Sequence, residues 1–358
     1  AISQIDYPQQ LTQTIIVCRN DDPETITAAQ KTLDLLQRPD IQLVTFSDFP
    51  INKPHGLNVA LPHARNEVVV IFDAEDEPHP QIYQKANHIF TSQPTDILQA
   101  GVQLVNYQTH WFSPLNVLEY FFWFKSVLRV FAKWGVVPLG GNTVFFRRKL
   151  LEQLEGWDEQ CLTEDADIGI RASSLGAITR VYYHEEFATR EETPHTIKDF
   201  IKQRSRWNQG YIQILLRGRW LHLPGWHRKI IALGLLATPI YLATSVIYLP
   251  IAFSAIFFLK LSAGLTLFTL LPAYILIAIS LLSIWGLLYF TNSFQLRRHY
   301  AVICTIPLLI VPYQTLLGYC ALRGVLRAFF KNTTWEKTTH TNLHRKKFTS
   351  DTLASEVI

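Results

Sequence analysis

The chain has 358 residues, with 33 Lys and Arg against 29 Asp and Glu for a formal net charge of +4. That length holds one large domain and something more, but the charge is uneven, since residues 230–330 contain no Asp or Glu. Cys18, Cys161, Cys304 and Cys320 show no paired spacing, which excludes a zinc or disulfide framework and fits a reducing compartment. No pattern points to nucleic acid.

In chain order, residues 14–18 (TIIVC), 41–46 (IQLVTF) and 68–72 (VVVIF) read as short buried strands. A helix is expected over 25–37, another over 80–91, and a further strand over 97–105. Strands alternating with helices argue for an α/β domain with a largely parallel sheet, whose ligands bind at the carboxyl ends of its strands. Acidic residues sit at two such ends: Asp21 and Asp22 after the first strand, and Asp73, Glu75, Asp76 and Glu77 after the third. Residues 114–137 are aromatic and weakly amphipathic, and periodicity leaves open whether they lie on a membrane or cover the sheet.

Further on, "LTED" places Thr163 before acidic residues, the pattern of a helix start capped by a hydroxyl. Within a helical pattern, Gln203, Arg206 and Trp207 fall at i, i+3 and i+4 on one face. The basic, Trp-containing stretch 217–229 then precedes two uncharged runs, 230–259 and 261–295, each beyond the roughly 20 residues that cross a bilayer. A third apolar run, 300–322, contains Pro307 and Pro312. With basic flanks at 217–229, 297–298 and 345–347 held on one side, this run is expected to break near its prolines into a hairpin that returns the tail.

Taken together, these motifs resemble membrane-integrated family 2 glycosyltransferases, the group of hyaluronan synthases and the catalytic subunits of bacterial cellulose synthases. The resemblance implies a GT-A-type, Rossmann-like α/β catalytic domain over 1–195, followed by amphipathic interface helices over 196–229. It further implies transmembrane helices over 230–330 and a cytosolic tail over 331–358, in the plasma (inner) membrane with the catalytic domain cytosolic. The implied activity is inverting transfer of a hexose from a UDP-sugar to a growing polysaccharide, with Mg²⁺ or Mn²⁺. On this likeness Asp73 and Glu75 hold the metal, while Asp21, Asp22, Lys53, Asn58, Asp73, Gln203, Arg206 and Trp207 bind the nucleotide sugar. Gly141, Asn142, Glu164 and Trp207 line the acceptor site, and Asp165 is the general base. Residues 335–340 (WEKTTH) resemble the close of one bacterial branch.

Two departures stand out. Glu75 replaces the second Asp of the family's DxD pattern. Nothing before Thr14 matches the family's opening strand, and the chain starts at Ala1 with no Met. The expectation is therefore a chain that is N-terminally incomplete, with a weakened UDP pocket. Transfer of one sugar to a lipid phosphate, or a degenerate scaffold without activity, are the alternatives.

Overall fold

A computed structural model describes residues 1–332 together with Thr334 and Glu336. The remainder of 335–340 and the basic stretch 345–347 lie outside the described residues, as does most of the expected tail. The N-terminal α/β portion begins with β1 (Thr14–Arg19), α1 (Pro23–Leu36), β2 (Ile41–Phe46) and α2 (Lys53–Ala60). Next come β3 (Val68–Ile71), α3 (Ile82–Ser92), β4 (Ile97–Ala100) and β5 (Val102–Leu104). The single strand expected over 97–105 is thus two, parted at Gly101. Helix α4 (Ser113–Phe122) runs through a π-helical turn at Trp123–Val127 into α5 (Leu128–Trp134). After β6 (Val144–Arg147) follow α6 (Arg148–Gln153), α7 (Glu164–Ser174), β7 (Thr179–Tyr182) and β8 (Thr189–Glu191).

The largest sheet has the order β3-β6-β4-β7, with β6 antiparallel to both neighbours and β4 parallel to β7. It is therefore a mixed sheet and not the largely parallel one expected. Strand β6 was not foreseen, because four residues (VFFR) that are nearly all buried carry no alternation to read. Strands β1 and β2 pair in parallel as a separate two-stranded sheet, and β5 and β8 form a third. Strand β1 has not closed onto β3.

Beyond the α/β portion lie α8 (Ile197–Arg217), α9 (Trp226–Leu236), α10 (Thr238–Leu259), α11 (Ala263–Thr269), α12 (Leu271–Ser293) and α13 (Tyr300–Phe329). By length and composition α10, α12 and α13 are each able to cross a membrane. Helix α13 is continuous through Pro307 and Pro312, so the expected break into a hairpin does not occur. A proline deletes only one backbone N–H donor, and in an apolar setting flanking helices support the gap. Here α13 is flanked on two sides. Its Tyr313 ring lies 5.9 Å from Phe200 of α8, and a Cβ on Gly318 would come 2.4 Å from Val246 of α10.

One end of α13 meets the α/β portion and the other meets α8. Just before it, the Tyr107 hydroxyl donates to Arg297 O at 2.5 Å. Near its end, Arg327 Nε donates to Gln209 Oε1 on α8 at 2.8 Å, and Arg323 grips Glu336 at 2.7 and 2.9 Å. One hydrophobic core joins the α/β portion to the apolar helices, with Phe121 of α4, Phe290 of α12 and Ile306 of α13 all fully buried. Helix α4 therefore covers the sheet and also receives α12, whereas α5 leaves Val130 and Trp134 exposed.

Candidate active site

Strand register builds the site. Ile71, the last residue of β3, pairs with Val144, the first of β6, and Thr143 N donates to Ile71 O at 2.7 Å. The acidic turn after β3 consequently faces the Leu139–Asn142 loop that leads into β6. Lys53, at the start of α2, reaches across both: Nζ donates to Gly141 O at 2.7 Å and ion-pairs with Asp73. A Cβ on Gly141 would lie 3.1 Å from Asp165 Oδ2 and 3.5 Å from Lys53 Nζ. Glycine keeps that approach open, and Lys53, Asp73, Gly141 and Asp165 share one place.

Asp165 sits in the first turn of α7, where its Oδ1 accepts from Ala166 N at 2.8 Å. Thr163 occupies the N-cap position but makes no capping hydrogen bond, contrary to the sequence expectation. Its side chain instead fills the space beside Gly210 of α8, where a Cβ would come 2.2 Å from Thr163 Oγ1. Burial raises the pKa of Asp165. Burial, then the charge of Asp165, pushes Glu164 up to about 7. Burial alone would lower the Lys53 ammonium, but Asp73 and Glu164 more than offset it and hold it above its ordinary value. Arg206 donates to Leu162 O at 3.2 Å, and its charge favours the ionised forms of Glu164 and Asp165.

These charges give different expectations for two variants. The charge of Asp165 raises Glu164, so Asp165 ionises first while Glu164 is still neutral, and Glu164→Gln should leave the ionisation of Asp165 in place. Lys53→Met removes a favourable positive charge, so Asp165 should ionise at higher pH. With Asp165 as the expected base, the acid limb of the pH–rate profile reports both, and a limb that moves in Glu164→Gln as far as in Lys53→Met would break the electrostatic account.

Asp76 is the fourth residue of the acidic turn, and it folds the turn back on itself. Its Oδ2 accepts from Asp73 N at 2.7 Å and its Oδ1 from Asn142 Nδ2 at 2.9 Å. Asn142 also donates to Glu191 at the end of β8. Burial, then the charge of Asp73, pushes Asp76 up to about 7, and burial with the charge of Asp76 raises Glu191 well above the usual carboxylate range. Asp76 and Glu191 thus hold the loop on which Asp73 and Glu75 stand.

Other expected residues lie in different company. Asp22 caps α1, accepting from Thr25 N at 3.1 Å, and Asp21 ion-pairs with Arg19. Asn58 turns from Lys53 to the loop after Gly156, donating to Trp157 O at 2.8 Å and accepting from Trp157 N at 2.8 Å. Gln203 Oε1 is buried without a hydrogen-bond partner among the described residues. The Trp207 ring lies 6.3 Å from that of Tyr120. Sequence reading passed over Tyr211, one turn beyond Trp207, whose buried hydroxyl feels the charge of Asp165; an i+4 spacing from Trp207 was the available signal.

The donor set suits a hard divalent cation. Asp73 and Glu75 offer carboxylate oxygens at a strand end, and Asp73 already holds a cationic group, the Lys53 ammonium. Among the described residues no group of three or more His, Cys, Asp or Glu is arranged to hold a metal. An ion here would take its other oxygens from phosphate and water, the habit of Mg²⁺ at diphosphate sites.

Comparison with known proteins settles the family. A family model described as glycosyltransferase like family 2 matches residues 1–210, more than half of the chain. The chain belongs to that family. A probable glycosyltransferase YdaM of Bacillus subtilis is 23% identical over 225 residues, covering 61% of this chain and 52% of the relative. A beta-monoglucosyldiacylglycerol synthase of Synechocystis is 26% identical over 243 residues, covering 64% and 48%. A UDP-forming cellulose synthase of Dictyostelium discoideum is 26% identical in its catalytic polypeptide over 209 residues, covering 56% and 19%. This family 2 chain spans about half the length of the first two relatives. Among solved structures, the Pyrobaculum calidifontis mannosyltransferase PcManGT, in complex with GDP-Man and Mn²⁺, superposes with a TM-score of 0.53. It is 18% identical and covers 92% of this chain and 81% of its own. That likeness establishes the GT-A fold.

Proposed function

We propose that this chain is an inverting membrane glycosyltransferase that moves a hexose from a UDP-sugar to a growing polysaccharide. The observation that carries the proposal is the convergence of Asp165, Lys53 and Asp73 on Gly141. Asp165 is the base: it takes the proton of the acceptor hydroxyl as that oxygen attacks the anomeric carbon from the face opposite the UDP leaving group. A divalent ion held by Asp73 and Glu75 would neutralise charge developing on the diphosphate. Lys53 adds positive charge there, and Arg206 extends it. Glu164, Asn142 and Gly141 border the acceptor side, and Trp207 offers a ring face for a sugar. Asp21, Asp22 and Asn58 fit the nucleotide end less directly, through the walls they stabilise.

The proposed setting is the inner membrane, with the catalytic domain cytosolic. Support comes from the apolar helices and from Arg297, whose carbonyl lies against Tyr107 and so keeps a basic flank beside the catalytic domain. A second reading, transfer of a single sugar to a lipid, is favoured by the glucolipid synthase relative and by the packing of α8 against apolar α13. UDP release from a panel of UDP-sugars, with Mg²⁺, Mn²⁺ or chelator, tests the enzyme in membranes. Metal-dependent release with a radiolabelled product that stays in water as a polymer is expected. Product extracted wholly into organic solvent would favour the lipid reading, and no release with any donor would sink both.

A further inference from the structure

The Gln203–Trp207 stretch holds a second arginine that the chemistry above does not use. Only 12% of the Arg204 side chain is exposed. Its Nη2 donates to Asn116 Oδ1 at 2.7 Å and to Glu119, both on α4. Its guanidinium carbon lies 4.7 Å from the ring centroid of Trp207 and 5.1 Å from that of Phe200. All three residues belong to α8, at spacings that share a helix face. A planar cation is thus packed against two aromatic rings of its own helix and pinned by two acceptors of another.

We propose that Arg204 is a positioning residue for Trp207: the α4 acceptors fix the guanidinium plane, and that plane fixes the indole face presented to the acceptor. This rests on the reading of Trp207 as the acceptor surface. Charge alone does not explain the arrangement, because lysine would satisfy Glu119 without offering a plane to either ring. A plain strut between α4 and α8 would likewise need the ion pair but not the two ring contacts.

The test uses the full chain in membranes or detergent, with Arg204→Lys as the conservative variant. Glu119→Gln, which loosens the fork while keeping the shape of its acceptor, serves if the lysine variant folds poorly. The near-ultraviolet circular dichroism of Trp207 is isolated by subtracting a matched Trp207→Phe spectrum from each protein. With UDP-glucose as donor and a short glucose oligosaccharide as acceptor probe, donor and acceptor KM are then measured separately. Expected are a lost Trp207 signature and an acceptor KM raised about thirtyfold, the scale of a desolvated cation–π contact, with donor KM little changed. An intact Trp207 signature in both variants would overturn the proposal whatever the rates do. Equal increases in donor and acceptor KM would overturn it in favour of a strut. A lost signature with acceptor KM unmoved, in these variants and in Trp207→Ala, would overturn the acceptor reading and the role of Arg204 in transfer with it.

Discussion

Asp165→Asn is expected to lower sugar transfer by about a hundredfold or more, the scale of a lost general base, while UDP still binds. Asparagine matches aspartate in size, and its carbonyl oxygen can still accept from Ala166 N, now at 2.8 Å. The first turn of α7 should therefore stand unchanged. What disappears is the ability to take a proton. Burial would strengthen the proposed base, because it holds the pKa of Asp165 above that of a solvated aspartate. The check is calorimetric UDP binding beside transfer rates on the same preparation. Transfer near the native rate would remove Asp165 from the role of base, and loss of UDP binding in parallel would make it a structural residue.

Gly169→Ala should produce the largest loss of stability among single methyl additions near the site. Gly169 lies one turn after Asp165 on α7, where a Cβ would come 2.2 Å from Val137 O and 2.9 Å from Leu139 N. Both atoms are backbone, and neither can rotate away. The helix must shift from the segment that leads into Gly141, at about 3 kcal/mol, the upper end of overpacking costs. Transfer should fall too, since the shift draws Asp165 from Gly141. Gly140→Ala is the comparison: its nearest atom is the far end of the Phe124 ring, at 3.0 Å. Thermal unfolding in detergent should rank Gly169→Ala below Gly140→Ala, and the reverse order would defeat the packing argument.

What the sequence disclosed follows the range of the forces involved. Strands β1, β2 and β3 were legible because each is a local apolar run, and the acidic turn and the start of α7 because carboxylates gather in adjacent positions. The partner of Asn58 was not legible, because Trp157 lies 99 residues away. Glu191 was invisible for the same reason: it closes a three-residue strand, and only folding brings it to Asn142. The prolines of α13 misled because local rules price a missing hydrogen bond without the two helices that flank it. Arg204 went unread because its meaning depends on α4, far away in sequence.

Helix α13 has one further consequence. At 1.5 Å per residue its 30 residues extend about 45 Å, the full depth of a bilayer with its headgroups. It is tied to Tyr107 at one end and to α8 at the other, and a Cβ on Gly324 would come 2.7 Å from Ser205 O, so the two helices meet backbone to backbone. Membranes of different thickness tilt or strain the helices they hold. In the proposed membrane setting such a strain would pass from α13 to the helix that carries Trp207, and lipid thickness is expected to act as a mechanical load on the proposed acceptor surface.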